Sequence, residues 1–188
     1  MKPFFHTWSD VIPLNTVNEW YSVIWNNADW KFKGKTGYAR ESLRHWCSSV
    51  NSDIFVRHEF DLCDVERVVL DMWSCVKVFM DDVKPNLVPF KCIINAYNFG
   101  DSSWIHTDCD QGETITCIVY INPFWDINWG GETFLVNDAK DTILEAVYPK
   151  PGRFILFDGR VLHGARPLSR EAHIPRVGVT FQCRTEVV

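Results

Sequence analysis

The sequence lacks the features that identify several common classes of protein. None of its seven cysteines forms a CxxC pair, which argues against a zinc ribbon or a thioredoxin-like site. No apolar run is long enough to span a bilayer, and residues 1–10 lack the apolar segment of a signal peptide. We therefore expect a cytoplasmic protein with free thiols and no membrane partner.

Positive charge is also scarce. Lysine and arginine total 19 against 24 aspartates and glutamates, and the formal net charge is −5. This balance argues against a nucleic-acid partner, because basic residues that bind phosphates provide most of such an affinity. The chain of 188 residues has no internal repeat, low-complexity tract or linker. A single domain covering residues 1–188 is the expected organisation.

The first half of the chain has mainly helical periodicity. Residues 16–19 have the form of a capping box, and apolar residues follow them at helical spacing. A second helix is predicted from about Asp64, with an apolar stripe along its length. Between the two, alternating apolar residues at 54–60 predict a short strand. Residues 1–88 are therefore expected to act mostly as helical support.

The second half has the alternation of β-strands. Residues 114–122, 154–157 and 176–182 form short apolar or alternating runs, separated by glycine- and proline-containing turns. Helices followed by many short strands favour a mainly β fold with flanking helices, a jelly-roll barrel with an N-terminal helical buttress. Residues 89–188 would form the barrel core and carry the functional site.

Three residues of this barrel region indicate a metal site: His106, Asp108 and His163. Positions two apart on a strand share a face, so His106 and Asp108 would converge on one ion. His163 follows a predicted strand and turn, as a ligand from a neighbouring strand should. Two imidazoles and one carboxylate leave three positions open on iron, as non-haem Fe(II) oxygenases require. The HxD pair alone is a weak signal, and His173, in a predicted loop, is given no metal role.

The order of segments around the triad strengthens this interpretation. Residues 90–183 resemble the Fe(II)/2-oxoglutarate-dependent dioxygenases of the prolyl 4-hydroxylase-like type. The matching segments, in order, are Asn95-Ala96-Tyr97-Asn98-Phe99-Gly100, His106-Thr107-Asp108, Tyr120-Ile121-Asn122, Gly130-Gly131-Glu132-Thr133-Phe134, His163-Gly164 and Arg176 through Phe181. The resemblance implies a double-stranded β-helix, the jelly-roll fold of that family.

The resemblance also implies cofactors and the residues that hold them. Fe(II), 2-oxoglutarate and O2 would be required, with ascorbate as a further candidate reductant. His106, Asp108 and His163 would be the catalytic metal ligands. By the same resemblance, the residues that bind 2-oxoglutarate would be Arg176, Tyr120, Thr180 and Tyr97. The guanidinium of Arg176 would bind the C5 carboxylate, a pairing that arginine forms well.

The position of the arginine departs from the family pattern. Arg176 lies a few residues further from His163 than is usual, and the additional residues fall within 166–175, a predicted loop. Arg166 and Arg170 are therefore rival candidates for the carboxylate anchor. Arg176 is preferred because it opens an alternating strand. The segment Gly130-Gly131-Glu132-Thr133 is interpreted as a tight turn between strands and not as part of the chemistry.

The expected activity is hydroxylation of an unactivated C–H bond, with release of succinate and CO2. A prolyl residue in a peptide or protein is the leading substrate, followed by a free amino acid or another side chain. Two other classes of function stay open from the sequence alone. One is a metal-dependent hydrolase or isomerase on a cupin-like barrel, and the other is a non-catalytic jelly-roll binding module.

Substrate recognition is expected around the barrel mouth. Residues 51–60 and 123–129 are the two candidate segments, because both carry aromatic or charged residues in predicted loops or edge strands. The second segment contains an unusually large number of aromatic residues for a connection: Phe124, Trp125 and Trp129. Their alternative role is to cap the hydrophobic core.

Overall fold

The fold is built from two antiparallel β-sheets and two helices. The computed structural model describes residues 3–35, 44–55, 62–109 and 113–186. In these residues the helices are α1 (Leu14–Asn27) and α2 (Asp64–Met80), with short 3₁₀ helices at Ser52–Phe55 and Ile127–Trp129. The strands are β1 (Phe5–Trp8), β2 (Lys31–Lys35), β3 (Arg44–Val50), β4 (Leu87–Tyr97), β5 (Ser103–His106), β6 (Ile115–Tyr120), β7 (Thr133–Val136), β8 (Ile143–Val147), β9 (Phe154–Asp158), β10 (His163–Ala165) and β11 (Arg176–Thr185).

The sheets differ in size and face each other. The large sheet has the order β1-β9-β6-β11-β4-β3-β2, and the small sheet has the order β5-β10-β7-β8. From β4 onward the chain passes repeatedly between the sheets, since β5, β7, β8 and β10 lie in the small sheet and β6, β9 and β11 lie in the large one, as in a jelly roll. The predicted fold class, mainly β with flanking helices, is confirmed.

Both helices cover the outer face of the large sheet. On α2, the apolar stripe predicted from helical spacing is buried, including Val69, Met72 and Val76 at 0% exposure. It forms one core cluster with Trp20 of α1 and with alternate residues of the central strands. The helices therefore support the large sheet from behind, as a buttress does.

A second, smaller core lies between the two sheets. Ile155 and Phe157 of β9 face this core, while their chain neighbours Phe154 and Leu156 face the helices. The same alternation explains why every residue of β6 is buried, although one of its faces carries polar side chains. That polar face does not contact bulk solvent, because the small sheet covers it.

The helix starts agree only in part with the sequence prediction. Helix α2 begins at Asp64 as predicted, and the backbone N–H of Cys63 donates to the Glu66 carboxylate at 3.0 Å. Helix α1 instead begins at Leu14, after Pro13, with no side-chain cap. The capping box predicted at residues 16–19 is therefore wrong, since these residues lie inside the first turns of the helix.

The first half contributes more strand than the sequence suggested. Strands β1, β2 and β3 all join the large sheet, so residues 1–88 supply sheet edges as well as helical support. The strand predicted at 54–60 is wrong at Ile54, which lies in the 3₁₀ helix Ser52–Phe55. Residues 56–60 of that prediction lie outside the described residues.

Two findings bear on the expected environment of the protein. All seven cysteines are free, as predicted. Within the described ranges, no helix is long and apolar enough to cross a membrane. The cytoplasmic location stays a prediction.

Two valines of α2 provide a matched test of the helix–sheet core. Val76 is 0% exposed and Val78 is 69% exposed. Val76→Ala should lower the free energy of unfolding by about 2 kcal/mol, because it leaves a cavity in a packed core. Val78→Ala removes the same atoms from the surface and should change that free energy by less than about 0.5 kcal/mol. Urea denaturation followed by circular dichroism measures both values, and equal losses would contradict the packing described here.

Candidate metal centre and co-substrate cleft

A cleft of about 400 Å³ opens between the two sheets. Its floor is the inner face of the large sheet, formed by alternate residues of β3, β4 and β11. The small sheet supplies the opposite wall, including His106 and His163. Of the residues predicted to bind the metal or 2-oxoglutarate, all but Tyr120 and the rival arginines Arg166 and Arg170 line this cleft.

The predicted triad converges at one point of the cleft. His106 is the last residue of β5 and pairs directly with His163, the first residue of β10. Asp108 Oδ1 lies 3.7 Å from His106 Nε2, and its Oδ2 lies 3.7 Å from His163 Nε2. One ligand atom from each residue lies within 4.8 Å of the others. A single ion can therefore contact all three side chains.

Asp108 reaches this point from a bend and not from a strand. It lies two residues beyond the end of β5, where its backbone N–H donates to the Gly159 carbonyl at 2.8 Å. The expectation that His106 and Asp108 share one strand face is wrong for this reason. The hydrogen bond to Gly159 fixes the bend and aims the carboxylate at the two imidazoles.

Backbone carbonyls set the tautomer of both imidazoles. His106 Nδ1 lies 2.7 Å from the Trp104 carbonyl, and His163 Nδ1 lies 2.9 Å from the Val161 carbonyl. A carbonyl oxygen only accepts, so each Nδ1 carries the proton. Each Nε2 then presents a lone pair to the centre of the triad, as a metal ligand must.

The surroundings keep Asp108 ionised. Burial alone would raise its pKa, but the neighbouring His106 and His163 and a hydrogen bond from Thr116 outweigh burial and hold the pKa of Asp108 well below its usual range. Thr116 Oγ1 donates to Asp108 Oδ2 at 2.5 Å. Burial lowers the pKa of His163, which favours the neutral ring. One carboxylate and two imidazoles are the donor set that suits Fe(II).

Arg176 occupies the closed end of the cleft. Its Nη2 donates to Thr133 Oγ1 at 2.8 Å, and its guanidinium lies over the rings of Tyr97 and Tyr120, at 5.5 Å and 5.1 Å from their centroids. The Tyr120 hydroxyl donates to the same Thr133 oxygen at 2.7 Å. Since that oxygen accepts both hydrogen bonds, the Thr133 proton is left to donate to a ligand.

The charge of Arg176 is not compensated within the described part of the chain. The side chain is 3% exposed, its Nε has no hydrogen-bond partner, and no described carboxylate lies within 4 Å. A buried cation without a counter-ion is costly. A ligand carboxylate would remove this cost, which makes the closed end suited to one end of a dicarboxylate.

The remaining candidates for the co-substrate site fall at different depths. Thr180 lines the cleft and accepts a long hydrogen bond of 3.5 Å from Asn95. Tyr120 is fully buried behind Thr133 and off the cleft wall. Arg166 and Arg170 are exposed and lie over the rings of Phe134 and Phe99. The geometry thus favours Arg176 over both rivals as the carboxylate anchor.

Several cleft residues could not be found from sequence. His45 is 3% exposed, stacks on Tyr97 with 4.4 Å between ring centroids, and its Nε2 lies 3.0 Å from Asn95 Oδ1. Burial lowers its pKa. Thr133 was interpreted only as part of a turn. His45 and Thr133 face the cleft because of the way their strands pair with neighbouring strands, and no sequence motif indicates that pairing.

The tryptophans proposed for substrate recognition belong to a core cluster. Trp125 is 7% exposed and Trp129 is 6% exposed, and they pack with Tyr97 and Leu168. Neither lines the cleft, so the core-capping alternative is the one that the structure supports. Phe124, at 48% exposure, is outside the cleft as well. In the other segment, residues 51–55 do not line the cleft, and residues 56–60 lie outside the described residues.

Comparison with known families agrees with this arrangement. Residues 92–183, which contain the triad and Arg176, match the model of the 2OG-Fe(II) oxygenase superfamily. The chain belongs to this superfamily. The oxygenase therefore uses Fe(II), 2-oxoglutarate and O2, as the sequence analysis predicted. No curated protein matches the chain significantly.

Solved structures show the same fold at low sequence identity. A prolyl-4-hydroxylase from Pseudomonas putida is 14% identical with a TM-score of 0.68, over 98% of this chain and 94% of that one. A prolyl hydroxylase from Trichoplax adhaerens, solved with a hypoxia inducible factor peptide, is 16% identical with a TM-score of 0.67, over 95% and 82%. A non-heme alpha ketoglutarate dependent epimerase of nogalamycin biosynthesis is 13% identical with a TM-score of 0.68, over 98% and 78%.

Gly131 has a structural role at the co-substrate end. Its φ is +77°, and a Cβ at this position would lie 3.1 Å from Arg176 Cδ and 3.3 Å from Trp125 Cζ2. The backbone thus passes against the stem of the arginine, where no larger residue fits. The turn therefore helps to position the guanidinium.

Alanine at Gly131 should displace Arg176. We expect Gly131→Ala to raise the apparent KM of the oxygenase for 2-oxoglutarate about tenfold, because the guanidinium moves from its position. Gly100→Ala is the matched control, since Gly100 has a similar φ of +81° and nothing within 4 Å of its Cβ position. The control should lose some thermal stability and keep its KM. A KM that is unchanged in Gly131→Ala would mean that this contact does not position Arg176.

Proposed function

We propose that the oxygenase hydroxylates an unactivated C–H bond of a prolyl residue in a peptide or protein, with His106, Asp108 and His163 as its Fe(II) ligands. The observation that carries the metal assignment is the convergence of three ligand atoms within 4.8 Å of one another. The observation that carries the co-substrate assignment is the buried, uncompensated guanidinium of Arg176. These two features lie in one cleft.

The metal ligands leave one side of the site open. Bound Fe(II), together with 2-oxoglutarate and O2, supplies the oxidising power and releases succinate and CO2. His106, Asp108 and His163 would hold the ion and would leave its other positions for small molecules. Their partners hold them still: the Trp104 and Val161 carbonyls fix the rings, and the Thr116 hydroxyl fixes the carboxylate.

At the other end, Arg176 and Thr133 would bind the C5 carboxylate. The guanidinium supplies charge and donors, and the Thr133 hydroxyl supplies one more donor. Tyr120 acts through Thr133, since its hydroxyl donates to that residue and not into the cleft. Tyr97 and Thr180 would form the walls along the chain of the co-substrate.

The choice of a prolyl substrate rests on likeness to other proteins. The Pseudomonas putida and Trichoplax adhaerens structures are prolyl hydroxylases, and the second contains a peptide. The epimerase of nogalamycin biosynthesis has the same fold, so the fold alone does not select the reaction. A cupin-like hydrolase or a binding module has no need for a buried arginine that lacks a counter-ion. The presence of Arg176 therefore favours an oxygenase over both of these classes.

Loss of one metal ligand should remove the activity. With a set of proline-containing peptides, we expect the wild-type oxygenase to release succinate and to add one oxygen to a prolyl ring, as read by mass spectrometry. His163→Ala should abolish both, and it should also abolish the visible charge-transfer band formed anaerobically with Fe(II) and 2-oxoglutarate, because a ligand is missing.

His173→Ala is the matched control. His173 contacts Trp129 and lies away from the triad, so the variant should keep the band and the activity. A band of full intensity in His163→Ala would exclude His163 as a ligand. Succinate release without any oxidised proline would exclude the prolyl substrate and leave the metal assignment standing.

A further inference from the structure

The end of the cleft opposite Arg176 carries its own pair of polar side chains. Gln182 of β11 pairs directly with Lys91 of β4, and on its other side with Thr116 of β6. Directly paired residues of antiparallel strands point to the same face, with Cβ atoms about 4.5–5.5 Å apart. Gln182 and Lys91 both line the cleft. Together they form a polar pair on the floor, named here the distal pair.

The distal pair lies near the metal centre and far from the co-substrate anchor. Thr116, beside Gln182, donates to the metal-site carboxylate of Asp108. Arg176 is six residues from Gln182 on the same strand, which corresponds to about 20 Å of backbone. A five-carbon dicarboxylate held by Arg176 and the metal does not extend as far as the distal pair. The distal pair is therefore left for the primary substrate.

Both members of the distal pair lack protein partners. Gln182 is 5% exposed, yet its amide makes no hydrogen bond with any described residue. Lys91 is exposed, and in the described ranges its ammonium forms no ion pair. The amide of Gln182 reaches the cleft, where it is available to hydrogen-bond a ligand. A substrate group in the cleft would provide what the protein does not.

The charge of the cleft indicates the sign of that group. Among the described residues that line it, Asp108 is the one carboxylate, against the two cations Lys91 and Arg176. Fe(II) adds two positive charges and 2-oxoglutarate adds two negative charges, so loading leaves one positive charge in excess. The excess lies at Lys91, because Arg176 would be neutralised by the C5 carboxylate.

We infer that Gln182 and Lys91 bind a carboxylate of the primary substrate, and hence that this substrate is an acid with its carboxylate close to the oxidised carbon. The amide NH2 of Gln182 and the ammonium of Lys91 supply donors to the two carboxylate oxygens. A free amino acid and a peptide with a terminal or side-chain carboxylate share this chemistry. The inference rests on the proposed function for the position of the metal and the co-substrate.

Matched acids and amides test this inference. The panel consists of L-proline, other L-amino acids, prolyl peptides ending in proline and prolyl peptides with an adjacent glutamate, each offered as the carboxylate and as the carboxamide. Binding to the oxygenase with Fe(II) and 2-oxoglutarate is measured by anaerobic calorimetry, and turnover by succinate release. We expect at least one acid to bind about tenfold more tightly than its amide, the effect of one charge-assisted contact.

The source of the carboxylate is identified by the member of the panel that shows the preference. Preference for free amino acids over their amides identifies a small-molecule substrate. Preference for the peptides identifies a terminal or side-chain carboxylate. Either result supports the inference.

Variants assign the preference to the distal pair. Lys91→Gln and Gln182→Leu should each bring the acid-over-amide ratio close to one. Lys150→Gln removes an equal charge outside the cleft, where Lys150 pairs with Asp10, and should keep the wild-type ratio. Because Gln182 is buried, thermal denaturation of its variant accompanies the binding data, and Lys91→Gln alone decides the outcome if Gln182→Leu unfolds.

Three results would overturn the inference. The first is that the amides bind as tightly as their acids. The second is that the preference for acid over amide persists in Lys91→Gln. The third is that no acid in the panel binds. Failure of the proposed function has different signatures. Succinate release without oxidised proline excludes the prolyl substrate, and a wild-type protein that releases no succinate under any condition excludes the assigned metal and co-substrate sites.

Discussion

The site depends on one cross-strand pair. His106 and His163 are direct partners in the antiparallel pairing of β5 and β10, and this register brings two imidazoles to 4.3 Å between ring centroids. A slip of one residue would turn one ring to the opposite face of the small sheet. The Gly159 carbonyl then holds Asp108 against the pair from the turn that follows β9. The candidate metal centre is thus a consequence of strand register more than of local sequence.

The cleft around this centre contains two buried side-chain charges of opposite sign. The buried carboxylate of Asp108 is held ionised between His106 and His163, which creates a place for a cation. The buried guanidinium of Arg176 lacks a counter-ion in the described chain, which creates a place for an anion. Packing against the helices makes the large sheet rigid enough to maintain both. A cation beside Asp108 and a carboxylate beside Arg176 would give each of these two buried charges a partner.

Part of this arrangement was predictable from sequence because its signals are local or periodic. The buried face of α2 follows from helical spacing, and the strand that begins at Arg176 follows from alternation. The triad was identified from residue types in a fixed order. The bend at Asp108 could not be predicted, because it is determined by a hydrogen bond to Gly159, which is 51 residues away along the chain.

Other features could not be predicted because they depend on long-range contacts. Thr133 and His45 enter the cleft through pairings between distant strands, and the sequence does not state that register. Trp125 and Trp129 lie in a short connecting segment without periodicity, so sequence alone could not separate a substrate surface from a core cluster. Their burial is set by Leu168 and Tyr97, which come from elsewhere in the chain.

We expect the guanidinium of Arg176 to bind the C5 carboxylate of 2-oxoglutarate in the cleft. Anaerobic titration of the visible charge-transfer band, with 2-oxoglutarate and with 2-oxopentanoate, measures this directly, since the second compound lacks only that carboxylate. In the wild-type oxygenase the missing carboxylate should cost about 2–5 kcal/mol of binding free energy. In Arg176→Ala the two compounds should bind about equally, while Arg166→Ala and Arg170→Ala should behave as wild type. Equal affinities in the wild type, or a difference that persists in Arg176→Ala, would contradict the account.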